Sequence, residues 1–152
     1  MDIDLSHTAL LVIDCQKGFE HPTYWGHTRS NPSFEKNLTA LLEAFRSKHS
    51  GHPTPTIIHV YHKSSNPQSP LHPSNPGADF LPCAAPRPGE AVISKTVNSS
   101  FMGTDLEERI RAGGIRRLYI AGLTTSICAF HVRLEYPLSQ TPYSGPMALL
   151  RL

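Results

Sequence analysis

Thr8-Ala-Leu-Leu-Val-Ile-Asp14 decides the fold of this chain, because an uninterrupted apolar run ends abruptly at a carboxylate. Such a run is typical of a strand buried on both faces, as the strands of a parallel sheet are. Three further apolar segments, 56–61, 91–94 and 117–121, are predicted to be strands of the same sheet.

Two helices are predicted between these strands. Asn31 and Pro32 begin the first, whose apolar stripe consists of Phe34, Leu38, Leu41, Leu42 and Phe45. Thr104 and Glu107 form a capping-box pattern for the second, which runs through Arg111. The order of elements indicates an α/β domain: a three-layer, mostly parallel, Rossmann-like sheet flanked by helices.

Composition favours one globular domain over residues 1–152, since 39% of the residues are hydrophobic. A net charge of +2 gives no reason to expect nucleic acid or a membrane surface as partner. The longest apolar run is too short to cross a bilayer, and an acidic N-terminus does not resemble a signal peptide. Three widely spaced cysteines, Cys15, Cys83 and Cys128, favour a reducing, cytoplasmic location without disulfides.

Candidate catalytic residues lie where predicted strands end. Asp14 and Lys95 each follow a strand, and Gly122 leads from the fourth strand to Cys128. In open parallel sheets the ligand crevice lies beyond the carboxyl ends of the strands, so these segments are expected to converge. A thiolate favoured by a helix N-terminus, a cation and a carboxylate suffice for acyl transfer. Taken singly, an aspartate at a strand end is more often a turn residue, a lysine a surface charge and a cysteine a core thiol.

Three motifs carry a family resemblance. Asp14-Cys-Gln-Lys-Gly-Phe19 resembles the D-x-Q-x-x-F opening of the isochorismatase-like cysteine hydrolases. Lys95-Thr-Val-Asn-Ser-Ser-Phe-Met-Gly-Thr-Asp-Leu106 resembles the lysine segment of that family, and Ala121-Gly-Leu-Thr-Thr-Ser-Ile-Cys128 is similar to its nucleophile turn. Tyr24-Trp-Gly26 and Ser69-Pro-Leu-His-Pro-Ser-Asn-Pro-Gly77 resemble one branch. The resemblance covers residues 8–128.

The resemblance implies a catalytic triad of Asp14, Lys95 and Cys128. It also implies a cis peptide at Leu123–Thr124 and an oxyanion hole built from the backbone amides of Thr124 and Cys128. The implied reaction is hydrolysis of a C–N bond in a small amide or carbamoyl compound through a thioester on Cys128, with no cofactor. The substrate depends on the unpatterned loop 64–90.

Three aromatic side chains, Phe19, Trp25 and Phe101, are predicted to line the substrate pocket, although aromatic residues beside a strand end more often belong to the core. No metal is expected. Nicotinamidases, which are relatives, bind a metal through Asp-x-His and a later His, but Val60 stands here where the aspartate is required. Histidines 59 and 62 are three apart on a strand and therefore face opposite sides.

After Cys128 the resemblance ends, and residues 129–152 form a divergent tail. Pro137 would stop the helix that follows Cys128, and residues 147–152 favour one short strand. The domain is therefore expected to lack the last strand and helix units of the family. An incomplete sheet edge leaves a second interpretation open, a catalytically impaired remnant that binds or dimerises as a homo-oligomer. A third is vinyl-ether hydrolysis, which needs no cysteine nucleophile.

Overall fold

The computed structural model describes residues 7–26, 31–48, 57–123 and 147–149. Five strands form one sheet in the order β3-β2-β1-β4-β5, and every described pairing is parallel. Their bounds are Thr8–Ile13 (β1), Ile57–His62 (β2), Ala91–Lys95 (β3), Arg117–Gly122 (β4) and Met147–Leu149 (β5). The first strand is therefore internal, as its burial at all six positions requires.

Within the described residues, two α-helices cover the sheet, one on each face. The first, α1, spans Phe34–Lys48 and lies between β1 and β2 in the chain. The second, α2, spans Leu106–Ala112 and lies between β3 and β4. The connections that the structure describes contain three short 3-10 helices, at Lys17–Glu20, Pro76–Ala78 and Pro82–Ala84. Neither α-helix in the described part of the chain is long and apolar enough to cross a membrane.

Alternation along β1 divides the core into two clusters. Leu10 and Val12 face α1 and pack with Leu38 and Leu42 of that helix. On the opposite face, a second cluster packs against α2; its members are Ala9, Leu11, Ile13, Ile58, Val60, Ala91, Ile93, Leu106, Ile110, Ile115, Leu118 and Ile120. Successive side chains of a strand point to opposite faces, so one internal strand supplies both cores and a three-layer α/β arrangement results.

A buried ion-pair network fastens α1 to the sheet. Glu90 accepts hydrogen bonds from Arg46 Nε at 2.7 Å and from the Arg87 backbone amide at 2.8 Å. His59 Nε2 lies 2.8 Å from the Glu90 carboxylate. Burial alone would raise the pKa of Glu90, but the hydrogen bonds from Arg46, Arg87 and His59 lower it to about 2. The Glu90 carboxylate therefore stays charged in the folded protein and joins β2, α1 and the loop before β3.

The predicted fold is confirmed, with differences at the helix starts. Helix α1 begins at Phe34, two residues later than predicted, while Asn31 Oδ1 accepts the Ser33 amide at 2.9 Å in the turn before it. The capping box at α2 is wrong: Thr104 Oγ1 donates to the Ser100 carbonyl at 2.6 Å, and Glu107 pairs with Arg111. The predicted tail strand is present as β5, which pairs with β4.

Candidate active site

Asp14 follows β1 directly and lies in the protein interior, with none of its surface exposed. Its backbone φ is +56°, a left-handed conformation that aspartate tolerates better than most residues. Its amide donates to the carbonyl of Val60 at 2.8 Å, which holds the end of β1 against β2. The left-handed turn breaks the alternation of β1, so the next residue, Cys15, joins the cluster facing α1.

Lys95 is the last residue of β3 and is only 2% exposed. Its Nζ donates to Asp14 Oδ2 at 3.0 Å and to the Asn98 carbonyl at 3.0 Å. In a buried pair of this kind, the attraction between the two charges offsets the desolvation free energy of each, which would be large for an isolated buried charge. The structure thus brings together two of the three predicted catalytic residues, in one buried pair.

Gln16 connects the end of β1 to the end of β2 by side-chain hydrogen bonds. The side chain is fully buried; its Oε1 accepts the His62 amide at 2.8 Å and its Nε2 donates to the His62 carbonyl at 3.0 Å. The same Nε2 donates to the Ala78 carbonyl at 2.9 Å, so one side chain also fixes the long loop that follows β2. The motif Asp14-x-Gln16 therefore contains one residue of the charged pair and the anchor of the neighbouring loop.

Cys15 is separated from the Asp14–Lys95 pair by its orientation. Its thiol is buried, and its Sγ lies 3.6 Å from the Ile13 carbonyl. Burial, with smaller contributions from Cys83 and Asp14, raises the pKa of the Cys15 thiol well above its usual range. A thiol in this state is a poor nucleophile.

The three predicted pocket aromatics lie in two places. Phe19 and Trp25 pack together with ring centroids 4.9 Å apart, and Trp25 Nε1 donates to the Gly18 carbonyl at 2.8 Å. Trp25 is 46% exposed, so this pair presents an aromatic surface to solvent. Phe101 is half-buried and packs against the core cluster that faces α2.

An open cavity of about 440 Å³ lies beside the Lys17–Glu20 helix. It is lined by Lys17, Gly18, Glu20, His21, Gln68, Pro70, Asn75, Pro76 and Gly77, so neither Asp14 nor Lys95 reaches it. Its walls are held close by two glycines: a Cβ on Gly77 would meet the Pro70 carbonyl oxygen, and one on Gly18 would lie 2.8 Å from Leu71. The segment after β1 and the loop after β2 form this cavity together, without the buried charged pair.

The remaining predicted site residues lie outside the described residues. These are Thr124 and Cys128, and with them the oxyanion hole and the peptide between Leu123 and Thr124. The structure does describe the strand that leads to them. Strand β4 ends at Gly122, which pairs with Ile13, the residue immediately before Asp14. Among the described residues, no group of three His, Cys, Asp or Glu side chains is placed to hold a metal ion.

A model of the isochorismatase domain matches residues 8–134, which is most of the chain. The chain belongs to the isochorismatase family. An isochorismatase-family protein of Bacillus subtilis, YrdC, is 40% identical over 120 residues, which are 79% of this chain and 60% of that protein. The chain thus spans about 60% of the length of this relative.

Solved structures of the isochorismatase family share the fold. One from Chromobacterium violaceum is 36% identical, with a TM-score of 0.80, and the match covers 97% of this chain and 72% of that one. The N-carbamoylsarcosine amidase of Thermoplasma acidophilum is 25% identical, with a TM-score of 0.65 over 84% of this chain and 74% of that enzyme. Membership places the chain in a hydrolase family that includes an amidase.

In this isochorismatase-family chain, the sequence alone did not assign a role to two residues near the charged pair, Gln16 and Asn98. Gln16 stands in the motif Asp14-Cys-Gln-Lys-Gly-Phe19 without an assigned role, and the available signal was a polar residue three positions after the end of a buried strand. Asn98 contributes only its backbone carbonyl, to Lys95, and a carbonyl contact leaves no trace in the choice of side chain.

Proposed function

We propose that this chain is a cysteine hydrolase that cleaves a C–N bond of a small amide or carbamoyl compound through a thioester on Cys128. The observation that carries the proposal is the buried Asp14–Lys95 pair, whose side chains are 3.0 Å apart at the carboxyl ends of β1 and β3. Strand β4 ends at the same edge of the sheet, and the chain reaches Cys128 six residues after Gly122. The amidase among its structural relatives supports the amide substrate class.

The chemistry requires a carboxylate that accepts and returns a proton. Asp14 takes the thiol proton of Cys128, and the resulting thiolate attacks the carbonyl carbon of the substrate. The tetrahedral oxyanion is held by the backbone amides of Thr124 and Cys128. Its collapse breaks the C–N bond, the leaving amine takes the proton from Asp14, and the acyl group remains on sulfur. Water then hydrolyses the thioester, with Asp14 again as the base.

Lys95 acts as an electrostatic partner in this scheme. A buried ammonium beside the thiol favours the thiolate, and its bonds to Asp14 and to the Asn98 carbonyl hold it in place. Phe19 and Trp25 are proposed as walls of the substrate pocket, since their stacked rings lie on the segment that follows Asp14 and Gln16. Phe101 is proposed as a third wall on the segment that follows Lys95.

Selective alkylation of the cysteines tests the proposal. Native protein is treated with iodoacetamide from pH 5 to pH 9, and each cysteine is followed by peptide mass spectrometry. Cys128 is expected to react at least tenfold faster than Cys15 and Cys83 at pH 6, because a thiolate stabilised by Lys95 persists below the ordinary thiol pKa of about 8.5. Cys15 is the internal reference, since its buried thiol has a raised pKa.

Turnover then separates the alternatives. Wild-type protein, Cys128→Ala and Cys128→Ser are assayed against small amides, carbamoyl compounds and a vinyl ether, and the acyl-enzyme is sought by intact mass. Equal reactivity of the three cysteines, with no turnover, would support the impaired, binding remnant instead. Full turnover of a vinyl ether by Cys128→Ala would support the third interpretation.

A further inference from the structure

His62 lies beside the charged pair on a neighbouring strand. It is the last residue of β2 and is paired in register with Lys95, the last residue of β3. Ile58 and Val60 of β2 and Ile93 of β3 all belong to the core cluster that faces α2, so alternation places the side chains of His62 and Lys95 on that same face. Adjacent strands are about 4.8 Å apart, so the imidazole and the ammonium stem are immediate neighbours.

The backbone of His62 is fixed independently of its ring. Gln16 bonds both the amide and the carbonyl of His62, and the amide of the next residue, Lys63, donates to the Lys95 carbonyl at 2.8 Å. Removal of the imidazole would therefore leave the end of β2 and its pairing with β3 intact. This separation allows the role of the ring to be tested without loss of the strand.

Register and alternation place the ring beside the turn that follows β3. Burial, and then the charge of Lys95, lower the pKa of His62, while the charge of Asp14 and a hydrogen bond with the backbone of Val97 raise it. The net effect lowers the pKa of His62, so the imidazole is neutral at neutral pH. A neutral imidazole has one N–H, which can donate to the Val97 carbonyl. The next residue of the same turn is Asn98, whose carbonyl accepts the Lys95 Nζ.

We propose that His62 is a positioning residue for Lys95: its imidazole holds the turn through Val97, so that the Asn98 carbonyl keeps the ammonium directed at Asp14. The proposed chain of contacts runs from the ring to Val97, and it continues through the observed bonds of Lys95 to the Asn98 carbonyl and to Asp14. The catalytic consequence rests on the function proposed above, whereas the placement of Lys95 can be measured without it.

The rate at which Lys95 is acetylated measures how well its ammonium is held at Asp14. Native protein is pulsed with acetic anhydride, and the labelling rate of Lys95 is divided by that of exposed Lys17 in the same sample. His62→Ala is expected to raise this ratio about fivefold, the effect of losing one net hydrogen bond. His62→Asn and His62→Gln place an amide N–H near the two ring nitrogen positions, and at least one of them is expected to bring the ratio back within twofold of wild type. His72→Ala is the matched control, because that ring bonds Ser74 within the loop.

The outcomes decide the proposal. A Lys95 ratio unchanged in His62→Ala, in protein whose circular dichroism matches wild type, would overturn it. An equal rise in the alanine variant and both amide variants would overturn it too, since no hydrogen bond would then be at work. In an amide assay, His62→Ala is expected to lower kcat at least fivefold with KM within twofold. If wild type hydrolyses no amide, the proposed function fails, yet the labelling ratio still tests the positioning role.

Discussion

Lys95 Nζ and Asp14 Oδ2 lie 3.0 Å apart although β1 and β3 do not touch each other. Strand β2 lies between them, so the two backbones are separated by about 9.6 Å, twice the strand spacing. The pair forms because the long lysine side chain passes the end of β2, and because the left-handed turn at Asp14 redirects its carboxylate. The two charges are thus joined across an intervening strand.

Breaking this pair from either side should be costly. Lys95→Met leaves the Asp14 carboxylate buried without its cation and is expected to lower the free energy of unfolding by about 3–5 kcal/mol. Asp14→Asn keeps a residue type that tolerates the left-handed conformation, so its expected effect on the backbone is small. Urea denaturation of both single variants and of the double variant measures the coupling. The double variant should be more stable than the sum of the singles predicts, and strict additivity would contradict the pairing.

The same variants separate stability from activity. Asp14→Asn is expected to abolish amide turnover, by at least a hundredfold, while the protein remains folded, because the amide cannot accept the thiol proton. Lys95→Arg is expected to lose turnover as well, since a planar guanidinium cannot occupy the place of a compact ammonium between Asp14 and the Asn98 carbonyl. Turnover by Asp14→Asn within tenfold of wild type would contradict the assigned role.

Glu90 should make stability depend on acid pH. Its pKa is lowered from 4.5 to about 2, so the folded protein prefers the carboxylate, and the resulting stability is complete above pH 4.5. That contribution is lost as the pH falls from 4.5 towards 2. Glu90→Gln is expected to cost about 2 kcal/mol at pH 7, and the difference from wild type should shrink across this window.

Glu107→Gln is the control for Glu90. Its partner Arg111 lies one helical turn away, and both side chains are largely exposed, so the expected cost is below about 0.5 kcal/mol at any pH. Guanidinium denaturation of both variants at pH 3, 5 and 7 makes the comparison. A Glu90→Gln difference that stays constant from pH 7 to pH 3 would show that the carboxylate is not preferentially charged in the folded state.

Gly122 should tolerate no side chain. A Cβ at this position would lie 2.5 Å from the Ile13 carbonyl oxygen, which belongs to the strand rather than to a flexible side chain. Gly122→Ala is expected to cost about 1–3 kcal/mol and to displace the segment leading to Cys128. Gly113→Ala is the control, because Gly113 has an ordinary φ of −75°. Thermal unfolding and Cys128 alkylation report the two effects, and an unchanged Tm for Gly122→Ala would contradict the close approach.

Two adjacent serines after β3 should respond oppositely to alanine. Ser99 Oγ accepts the amides of Phe101 and Met102 at 3.1 and 3.2 Å, so Ser99→Ala is expected to cost about 1–2 kcal/mol. Ser100 Oγ is buried and has no hydrogen-bond partner among the described residues, so Ser100→Ala should be neutral or slightly stabilising. Urea denaturation distinguishes them, and a larger loss for Ser100→Ala would show that its hydroxyl has a partner.

The sequence allowed the strands to be predicted closely, because uninterrupted apolar runs such as Thr8–Ile13 leave no other placement in a sheet buried on both faces. The meeting of Asp14 with Lys95 followed from the same pattern, since both residues end parallel strands. Domain extent, the pocket walls and the role of Cys128 remain predictions.

Two features of the site could not be predicted from the sequence, because backbone geometry determines them. The left-handed turn at Asp14 and the Asn98 carbonyl bonded to Lys95 are set by chain geometry and not by side-chain type. The capping box at α2 failed for a different reason: the Thr104 hydroxyl has a competing acceptor in the Ser100 carbonyl, three-dimensional information that the pattern does not contain.

The three hydrogen bonds of Gln16 have a consequence for the loop that follows β2. One side chain ties the loop after β2 to the sheet through the backbone groups of His62 and Ala78, whatever side chains those positions carry. The side chains of that loop can therefore vary without removing these bonds, because every donor and acceptor that Gln16 contacts belongs to the backbone. Within one short segment, Asp14 supplies the carboxylate of the buried pair and Gln16 holds the neighbouring loop, so a change in the sequence of the loop need not disturb the pair.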